Sequence, residues 1–492
     1  MPSALASVLV LLSSAAVLVL EVLVSRLVAP YVGLTLETYT ASIGVALGAI
    51  AAGAALGGRL ADTVDPRRWL GPALGLGGAL LLVARPTVFA LGPVLGRGAT
   101  ATVLLVAAAV GPAVLVLSTV TPGVVKLRLR TLAETGATVG RLSALGTLGA
   151  LAGTFLTGFV LLSALPVSRV LLAVGLLLVL AGLVLAVALP RAAAAGPGAG
   201  APVLGALLLA GALAAGLLVS ADGRCGRETR YYCASVVADA ARPTGRTLVL
   251  DGLSHSYVDL ADPAHLQFDY TRRFGDVVAA LPPGPLDVLH LGLGGGTLPR
   301  HLAAVRPGSR STVLEVDPGV LDLDRDLLGL RTGPDLQVRV GDARTSIADA
   351  PSGGYDLVVG DAFGSLAVPW HLTTREMVAQ VRRVLRPGGT YLLNVIDNPP
   401  SAFARAETAT LAEAFGEVLL VGSAAQAAGR VGGNYVLVAS DRPADRARLA
   451  ALAAERGSAD RASDGVGFAG QAGVLTDDDA PVDQLLTPYP AA

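Results

Sequence analysis

The chain has 492 residues, of which 53% are hydrophobic and only 15% charged, and its mean hydropathy is +0.62. These averages exclude an ordinary soluble protein. Residues 1–220 carry 12 basic and 5 acidic side chains, whereas the remainder carries 25 basic and 33 acidic side chains. The second half has no basic stripe, so we expect no nucleic-acid partner.

The first half of the chain contains seven apolar segments of the length that a membrane-spanning helix needs, about 20 residues. The first segment is not a signal peptide, because it lacks a basic region before it and further segments follow. We therefore predict that residues 1–220 form an all-α, multi-pass bundle of about seven helices in the lipid bilayer. The segments lie near residues 4–29, 40–61, 69–92, 99–121, 142–164, 167–189 and 201–220.

Cationic loops predict the orientation of this bundle, because short cytoplasmic loops are enriched in arginine and lysine. With the N-terminus inside, the inner loops carry Arg59, Arg67, Arg68, Lys126, Arg128, Arg130, Arg141 and Arg191. The outer loops then carry little beyond Arg85, Arg97 and Arg169. We expect a cell-membrane protein with a cytoplasmic N-terminus. Seven spans place the C-terminal half outside, but one miscounted span reverses that side, which the sequence leaves open.

Two cysteines, Cys225 and Cys233, follow the last apolar segment. Their spacing fits no metal-ligand pattern, so we expect no metal site there. They are either two free thiols or a disulfide. A disulfide would place this stretch outside the cytosol.

Two features of the first half bear on transport. Glu21 is an ionisable residue in an apolar span, which indicates either a substrate or proton path or a structural role as the partner of Arg26 or of a backbone donor. The loop Gly58-Arg-Leu-Ala-Asp62 through Arg67-Arg68 resembles the cytoplasmic loop between the second and third helices of major facilitator transporters.

The pattern changes after residue 220. Residues 221–285 are predicted to be a linker and a small β-hairpin unit, with strands 246–251 and 254–258 around Asp251-Gly252. Residues 286–445 alternate strands and helices, which predicts an α/β Rossmann-like domain with a mainly parallel sheet. Residues 446–492 are predicted to be a C-terminal helix and an acidic tail. The strands are 286–292, 311–316, 336–341, 355–361, 389–396, 417–422 and 434–439, and the helices are 297–305, 318–329, 371–385 and 401–415.

A nucleoside pocket is predicted where the first three of these strands end. Glycines after the first strand let the backbone approach a ligand, and a carboxylate after the second strand accepts hydrogen bonds from ribose hydroxyls. The end of the third strand would meet the adenine edge. The residues expected to bind the nucleoside are Gly292, Gly294, Gly295, Gly296, Glu315, Asp342 and Ala343.

Asp361 ends the following apolar strand, Tyr355–Gly360, and faces the same crevice. A carboxylate there can hold an amine and accept its proton, as a general base does. The alternative is a helix cap for the segment that begins near Gly364.

Together these stretches resemble the polyamine aminopropyltransferase family, in particular membrane-fused, spermidine-synthase-like proteins. The resemblance implies a hairpin unit, an S-adenosylmethionine-type Rossmann domain of the methyltransferase kind, and aminopropyl transfer from decarboxylated S-adenosylmethionine to an amine. It also implies that Tyr270 contacts the substrate and that Asp361 is the catalytic base. It is carried by Leu250-Asp251-Gly252, Phe268-Asp269-Tyr270, Gly294–Gly296, Glu315, Gly341-Asp342-Ala343, Tyr355–Asp361 and the tail Thr476–Asp483.

The chain departs from the family at three positions that would contact the amine. Thr297 replaces the aspartate after the glycine triplet, Thr271-Arg272 replaces a His-Glu pair, and Gly364 replaces a second aspartate. A desolvated cation needs acidic partners. We therefore expect Thr297 to contact the substrate, and Asp478 with its two acidic neighbours to supply charge if the tail folds over the crevice.

Aminopropyl transfer is thus the leading functional hypothesis. The alternatives are methyl transfer from S-adenosylmethionine, a transporter or sensor whose Rossmann domain binds a nucleoside or polyamine without catalysis, and an inactive scaffold. The expected partners are a small-molecule amine, the lipid bilayer and a second copy of the chain as a homodimer.

Overall fold

The computed structural model describes residues 1–33, 35–96, 98–129, 131–189, 200–222, 225–364 and 368–487. Arg97, Arg130 and Arg191, which entered the loop-charge prediction, lie outside these residues. The chain divides into two compact units, Met1–Tyr231 and Tyr232–Ala492. Both cysteines are disulfide-bonded, which decides between the two states that the sequence left open.

The first unit is helical, as predicted. Its helices are α1 (Ser3–Val32), α2 (Leu36–Thr63), α3 (Pro66–Leu95), α4 (Ala99–Ser118), α5 (Val120–Arg128), α6 (Thr135–Phe155), α7 (Leu162–Ala164), α8 (Val167–Ala188) and α9 (Gly200–Asp222). A π-helical turn, Leu156–Leu161, joins α6 to α7, and a 3-10 turn, Leu132–Glu134, precedes α6. The two-residue strand β1 (Arg227–Glu228) follows α9.

Six helical segments among the described residues are long and apolar enough to cross a membrane. They are Ser3–Val32, Leu36–Thr63, Pro66–Leu95, Ala99–Arg128, Thr135–Ala164 and Val167–Ala188. The seventh predicted run lies in α9, which contributes a shorter apolar stretch, Leu209–Ser220.

Small residues bring α3 and α8 into close contact along an antiparallel seam. A Cβ atom added to Gly182 would stand 2.5 Å from the backbone nitrogen of Gly75. A Cβ added to Gly78 would stand 2.6 Å from the carbonyl oxygen of Gly175. Both distances are shorter than any real Cβ contact, so the two backbones approach this closely only because these positions are glycine.

We expect Gly182→Leu to destabilise the first unit, because the new side chain would overlap the backbone of α3. Overpacking of this kind costs roughly 3 kcal/mol. The measurement is the thermal midpoint of the full chain in detergent. Gly44→Leu is the control, since nothing lies within 4 Å of a Cβ at Gly44 in α2. Equal thermal midpoints for the two variants would contradict the close packing of α3 against α8.

The second unit begins with an antiparallel meander of β2 (Cys233–Ala238), β3 (Gly245–Leu250) and β4 (Leu253–Asp259). Asp251 and Gly252, between β3 and β4, both have positive φ angles, 49° and 77°. Two such residues in succession characterise the two-residue turn that matches the twist of a hairpin. The Asp-Gly turn is therefore confirmed, whereas the sequence did not predict β2.

The rest of the second unit is an eight-stranded sheet with helices on both faces. The strands are β5 (Asp287–Leu291), β6 (Arg310–Glu315), β7 (Leu336–Val340), β8 (Tyr355–Gly360), β9 (Leu385–Asp397), β10 (Glu417–Gly422), β11 (Gly433–Ser440) and β12 (Arg461–Asp464). The helices are α10 (Asp269–Ala280), α11 (Thr297–Val305), α12 (Pro318–Leu327), α13 (Ala343–Ser346), α14 (Arg375–Val384), α15 (Ala402–Ala414), α16 (Ala424–Ala427), α17 (Arg446–Glu455), α18 (Gly465–Ala469) and α19 (Val482–Leu485).

The strand order is β12-β10-β11-β9-β8-β5-β6-β7. From β7 to β9 the strands are parallel, and their order of appearance, 3-2-1-4-5, is that of a doubly wound nucleotide-binding sheet. Beyond β9 the pairing is antiparallel. Alternate residues of β8 enter different cores, with Val358 on the face of α14 and α15, and Leu357 on the face of α10 and α11. The predicted fold class is confirmed.

The predicted strands and helices of residues 286–440 are present within a few residues, with one clear shift. The predicted helix 371–385 begins at Arg375, because the Thr374 side chain accepts a hydrogen bond from the backbone of Met377 and caps the helix there. A separate 3-10 turn, Trp370–Leu372, precedes it. The sequence did not predict α10 or the edge strand β12.

Candidate active site

The glycine turn between β5 and α11 has the backbone geometry that only glycine adopts readily. Gly292, Gly294 and Gly296 have φ angles of 96°, 53° and 71°. A Cβ at Gly292 would also stand 2.7 Å from the carbonyl oxygen of Asp361. The glycines therefore serve two purposes, which are the left-handed turn and the close approach of the β8 strand end.

Glu315, at the end of β6, is tied to this turn. Its carboxylate accepts hydrogen bonds from the backbone amides of Leu293, at 2.9 Å, and Asp317, at 2.8 Å. Only 6% of the residue is exposed, and burial raises its pKa to about 7. Because a carboxylate has about four acceptor positions, Glu315 can still accept from a further donor such as a ribose hydroxyl.

Asp324 on α12 lies near Glu315, and the sequence did not indicate it. Asp324 is fully buried, and burial together with the nearby Glu315 charge raises its pKa to about 9. Arg300 on α11 is close enough to oppose that shift. Asp317 caps α12 by accepting a hydrogen bond from Gly319 at 2.9 Å. Asp324 is thus expected to be protonated at neutral pH, which lowers the negative charge around Glu315.

The end of β7 carries Asp342 and Ala343, as the sequence predicted. One oxygen of Asp342 accepts a hydrogen bond from the backbone of Arg344 at 2.7 Å and caps α13. The other oxygen lies 3.2 Å from His371 Nε2. Ala343 is 7% exposed. The ends of β5, β6 and β7 are neighbours in the sheet, so the structure brings the predicted nucleoside residues together on one edge.

Asp361, directly after β8, lies on the same edge. Tyr270 Oη donates a hydrogen bond of 3.1 Å to Asp361 Oδ2, although the two residues are 91 positions apart. Asn394 Nδ2 donates to Asp361 Oδ1 at 2.9 Å. Burial raises the pKa of Asp361 to about 6. The structure thus brings together the two residues that the resemblance paired as base and substrate contact.

Asn394 was missed by sequence reasoning. It is 1% exposed on β9, and its Oδ1 accepts a hydrogen bond of 3.0 Å from Asn434 Nδ2 on β11. This second bond fixes which end of the amide faces Asp361. The available signal was a lone amide within the apolar run Leu392-Leu393-Asn394-Val395, because a buried amide requires partners.

The meander lies against the glycine turn and the segment after β8. Ser256 Oγ accepts a hydrogen bond of 2.6 Å from the backbone of Gly295, and Tyr232 Oη donates one of 2.9 Å to the carbonyl of Phe363. Thr297 Oγ1 donates to the carbonyl of Tyr257 at 3.0 Å. The hydroxyl of Thr297 is therefore engaged in a structural bond, and its contact with substrate stays a prediction.

The acidic tail folds onto the second unit through Asp477. Its carboxylate pairs with Arg344 and accepts a hydrogen bond of 2.6 Å from Thr374 Oγ1, while its backbone donates to Glu376 at 3.0 Å. Asp478 is exposed. The tail therefore lies beside the end of β7, and a substrate contact by Asp478 stays a prediction. Among the described residues, no three acidic, histidine or cysteine side chains are placed to hold a metal ion.

The sheet order, the glycine turn and the acidic strand ends are those of a Rossmann-like domain of the methyltransferase type. A model of the family described as "Methyltransferase domain" matches residues 288–389. The chain is 34% identical over 137 residues to a polyamine aminopropyltransferase from Vibrio vulnificus, which covers 27% of the chain and 45% of that protein. It is 31% identical over 121 residues to an eEF1A lysine and N-terminal methyltransferase from Danio rerio, covering 23% and 18%.

Among solved structures, a probable spermidine synthase from Corynebacterium glutamicum aligns with a TM-score of 0.48 and 28% identity, over 51% of this chain and 95% of that chain. The chain spans less than half the length of the two curated relatives named above. The suspected resemblance to polyamine aminopropyltransferases is confirmed over part of the chain, and the two curated relatives that match this part are named as transferases.

Proposed function

We propose that the α/β unit transfers an aminopropyl group from decarboxylated S-adenosylmethionine to an amine, in a protein anchored in a membrane by its first unit. The observation that carries the proposal is the Tyr270–Asp361 pair on the sheet edge that also holds the glycine turn and Glu315. Both the use of an amine acceptor and the activity of the whole protein are proposed here, because the relatives match only part of this chain.

In the proposed reaction these residues bind the nucleoside, accept a proton from the amine and orient the base. The glycine turn and Glu315 bind the nucleoside, and Asp342 with Ala343 borders its base. Asp361 holds the amine and accepts one of its protons. The amine nitrogen forms a bond to the carbon attached to the sulfonium sulfur as the carbon–sulfur bond breaks, so the electron pair stays on sulfur and leaves a neutral thioether. Tyr270 and Asn394 orient the carboxylate of Asp361 through their hydrogen bonds.

Methyl transfer from S-adenosylmethionine is the second candidate, and one observation favours it. In aminopropyltransferases an aspartate at the position of Thr297 would meet the amine of the aminopropyl group, as the resemblance implies. Here the side chain is neutral and bonded to the Tyr257 carbonyl. The methyltransferase among the relatives agrees with this alternative.

The test measures donor binding and product with the full chain in detergent or nanodiscs. Decarboxylated S-adenosylmethionine and S-adenosylmethionine are each titrated by calorimetry, then incubated with diamines and with lysine peptides. Methylthioadenosine formed only from the decarboxylated donor supports aminopropyl transfer. S-adenosylhomocysteine formed from the other donor replaces that proposal with methyl transfer. Binding of a donor without formation of either product would overturn the proposal of an enzyme and favour that of a sensor.

The pH dependence of turnover should report on Asp361. Since burial raises the pKa of Asp361 to about 6, kcat/KM should fall as the pH drops through 6, where the carboxylate takes up a proton and can no longer accept one. Asn394→Leu removes a donor that stabilises the ionised form, so the acidic limb should move to higher pH. Thr390→Val, which changes another buried polar residue of β9, should leave the profile unchanged. If the acidic limb of kcat/KM lies at the same pH in the unsubstituted protein and in both variants, Asp361 is excluded as the base.

A further inference from the structure

The two ends of the helical unit can be distinguished by polar contacts. At the end that we call the N-terminal end, Arg128 Nη1 donates a hydrogen bond of 3.0 Å to the carbonyl of Met1, and Lys126 Nζ lies 2.7 Å from Asp62 Oδ1. These contacts join the start of α1 to the ends of α2 and α5.

At the other end, which we call the exit end, the segment after α9 is held by different helices. Glu228 accepts a hydrogen bond of 3.2 Å from the backbone of Ser168, at the start of α8, and lies 3.6 Å from Arg85 Nη2 on α3. The guanidinium of Arg26, near the end of α1, lies 5.6 Å from the ring centre of Tyr231. The chain thus leaves the first unit where α1 finishes and α8 begins.

Helix contacts along the unit agree with these two ends. Gly149 and Gly153 of α6 would place a Cβ 2.5 Å from the carbonyl oxygens of Leu11 and Ala15, respectively, so α6 runs parallel to α1. Antiparallel packing of α8 against α3 returns the chain toward the N-terminal end, and α9 brings it back to the exit end. The number of crossings is therefore odd, and this parity does not depend on counting hydrophobic runs.

The loop charges differ between the two ends. The short loops at the N-terminal end are flanked by six cationic side chains among the described residues, namely Arg59, Arg67, Arg68, Lys126, Arg128 and Arg141. The exit end carries fewer cationic side chains, namely Arg85 and Arg169 and, in the sequence, Arg97. Cationic short loops stay in the cytoplasm, whereas a long domain such as residues 232–492 is translocated largely regardless of its charge.

From these contacts we infer that the transferase unit faces the extracytoplasmic side of the membrane and takes both of its substrates from there. The oxidation state of the cysteines points the same way. Cys225 lies three positions after α9, and both cysteines are disulfide-bonded, which is typical of compartments outside the cytosol. The orientation itself rests on the helical unit, and only the statement about substrates rests on the proposed function. A sulfonium nucleoside and an amine are both cations that cross a bilayer slowly, so both must be present on that side.

Thiol labelling of the full chain tests the orientation directly. Since the only two cysteines are bonded, a single introduced cysteine is the reactive thiol. Ala454→Cys places one on the exposed surface of α17, and Thr63→Cys places the matched control at the exposed end of α2. In sealed right-side-out vesicles, a membrane-impermeant maleimide should label Ala454→Cys at least ten times more than Thr63→Cys. Inside-out vesicles should reverse the ratio, and the unsubstituted chain should stay unlabelled until it is reduced.

Labelling of Thr63→Cys in preference to Ala454→Cys in right-side-out vesicles would overturn the orientation, and so would equal labelling of both. The labelling result does not depend on turnover, so an error in the orientation can be distinguished from a failure of the proposed reaction. For the substrate supply, intact right-side-out vesicles given external donor and amine should form product at no less than half the rate seen after detergent opens them. Product that appears only after opening would show that the site takes substrate from the other side.

Discussion

Asp361→Asn is expected to reduce kcat about 10³-fold, within the 10²–10⁴ range that a positioned general base contributes. The amide keeps the shape of the side chain but cannot accept the amine proton. Because Asp361 lies at the end of β8 and Glu315 at the end of β6, affinity for the donor should change little. The measurement combines single-turnover kinetics with calorimetric titration of the donor.

Asp356→Asn is the matched control for this variant. Asp356 lies on the same strand but near its beginning, where it pairs with Arg386 and accepts a hydrogen bond of 2.9 Å from the backbone of Asp287. It should affect stability more than turnover. If both variants lose activity to the same extent, Asp361 acts by stabilising the fold, and its role as a base is refuted.

Glu315→Gln is expected to weaken donor binding about 100-fold. The loss of charge-assisted hydrogen bonds to two ribose hydroxyls costs about 3 kcal/mol, and each 1.4 kcal/mol is a factor of ten. The glutamine amide would also place its own N–H groups against the backbone donor of Leu293 or Asp317, which now bind the carboxylate. The measurement is the dissociation constant of the donor at pH 8.

The pH dependence of binding gives this variant a second readout. Since burial raises the pKa of Glu315 to about 7, the ionised form that accepts ribose hydroxyls is lost as the pH falls through 7. Affinity of the unsubstituted protein should therefore decline below that pH, while the affinity of Glu315→Gln should not. Asp322→Asn, at an exposed position of α12, should behave like the unsubstituted protein. If Glu315→Gln binds the donor with unchanged affinity, the prediction of a nucleoside pocket at this strand end is wrong.

The local patterns of the second unit were sufficient to predict its framework. Apolar runs that end in Gly292, Glu315, Asp342 and Asp361 indicated strands whose ends share one edge, because parallel strands in a doubly wound sheet place their carboxyl ends together. Asp251-Gly252 predicted its hairpin because that dipeptide tolerates two positive φ angles in succession. These features depend on residues that are close in the chain.

Features that depend on distant partners were decided by the tertiary structure alone. Asn394 contacts Asp361 only because β8 and β9 pair, and the hydroxyl of Thr297 reaches the Tyr257 carbonyl only because the meander lies against α11. The high pKa of Asp324 follows from burial, which no local pattern reveals. The parity of the helical unit was likewise uncertain from hydropathy, since one miscounted run changes it, and the odd number of crossings inferred above rests on contacts such as Glu228 with Ser168. Spacing along the chain determines strands, turns and helices, whereas hydrogen-bond partners, desolvation and helix direction arise only when remote segments pack together.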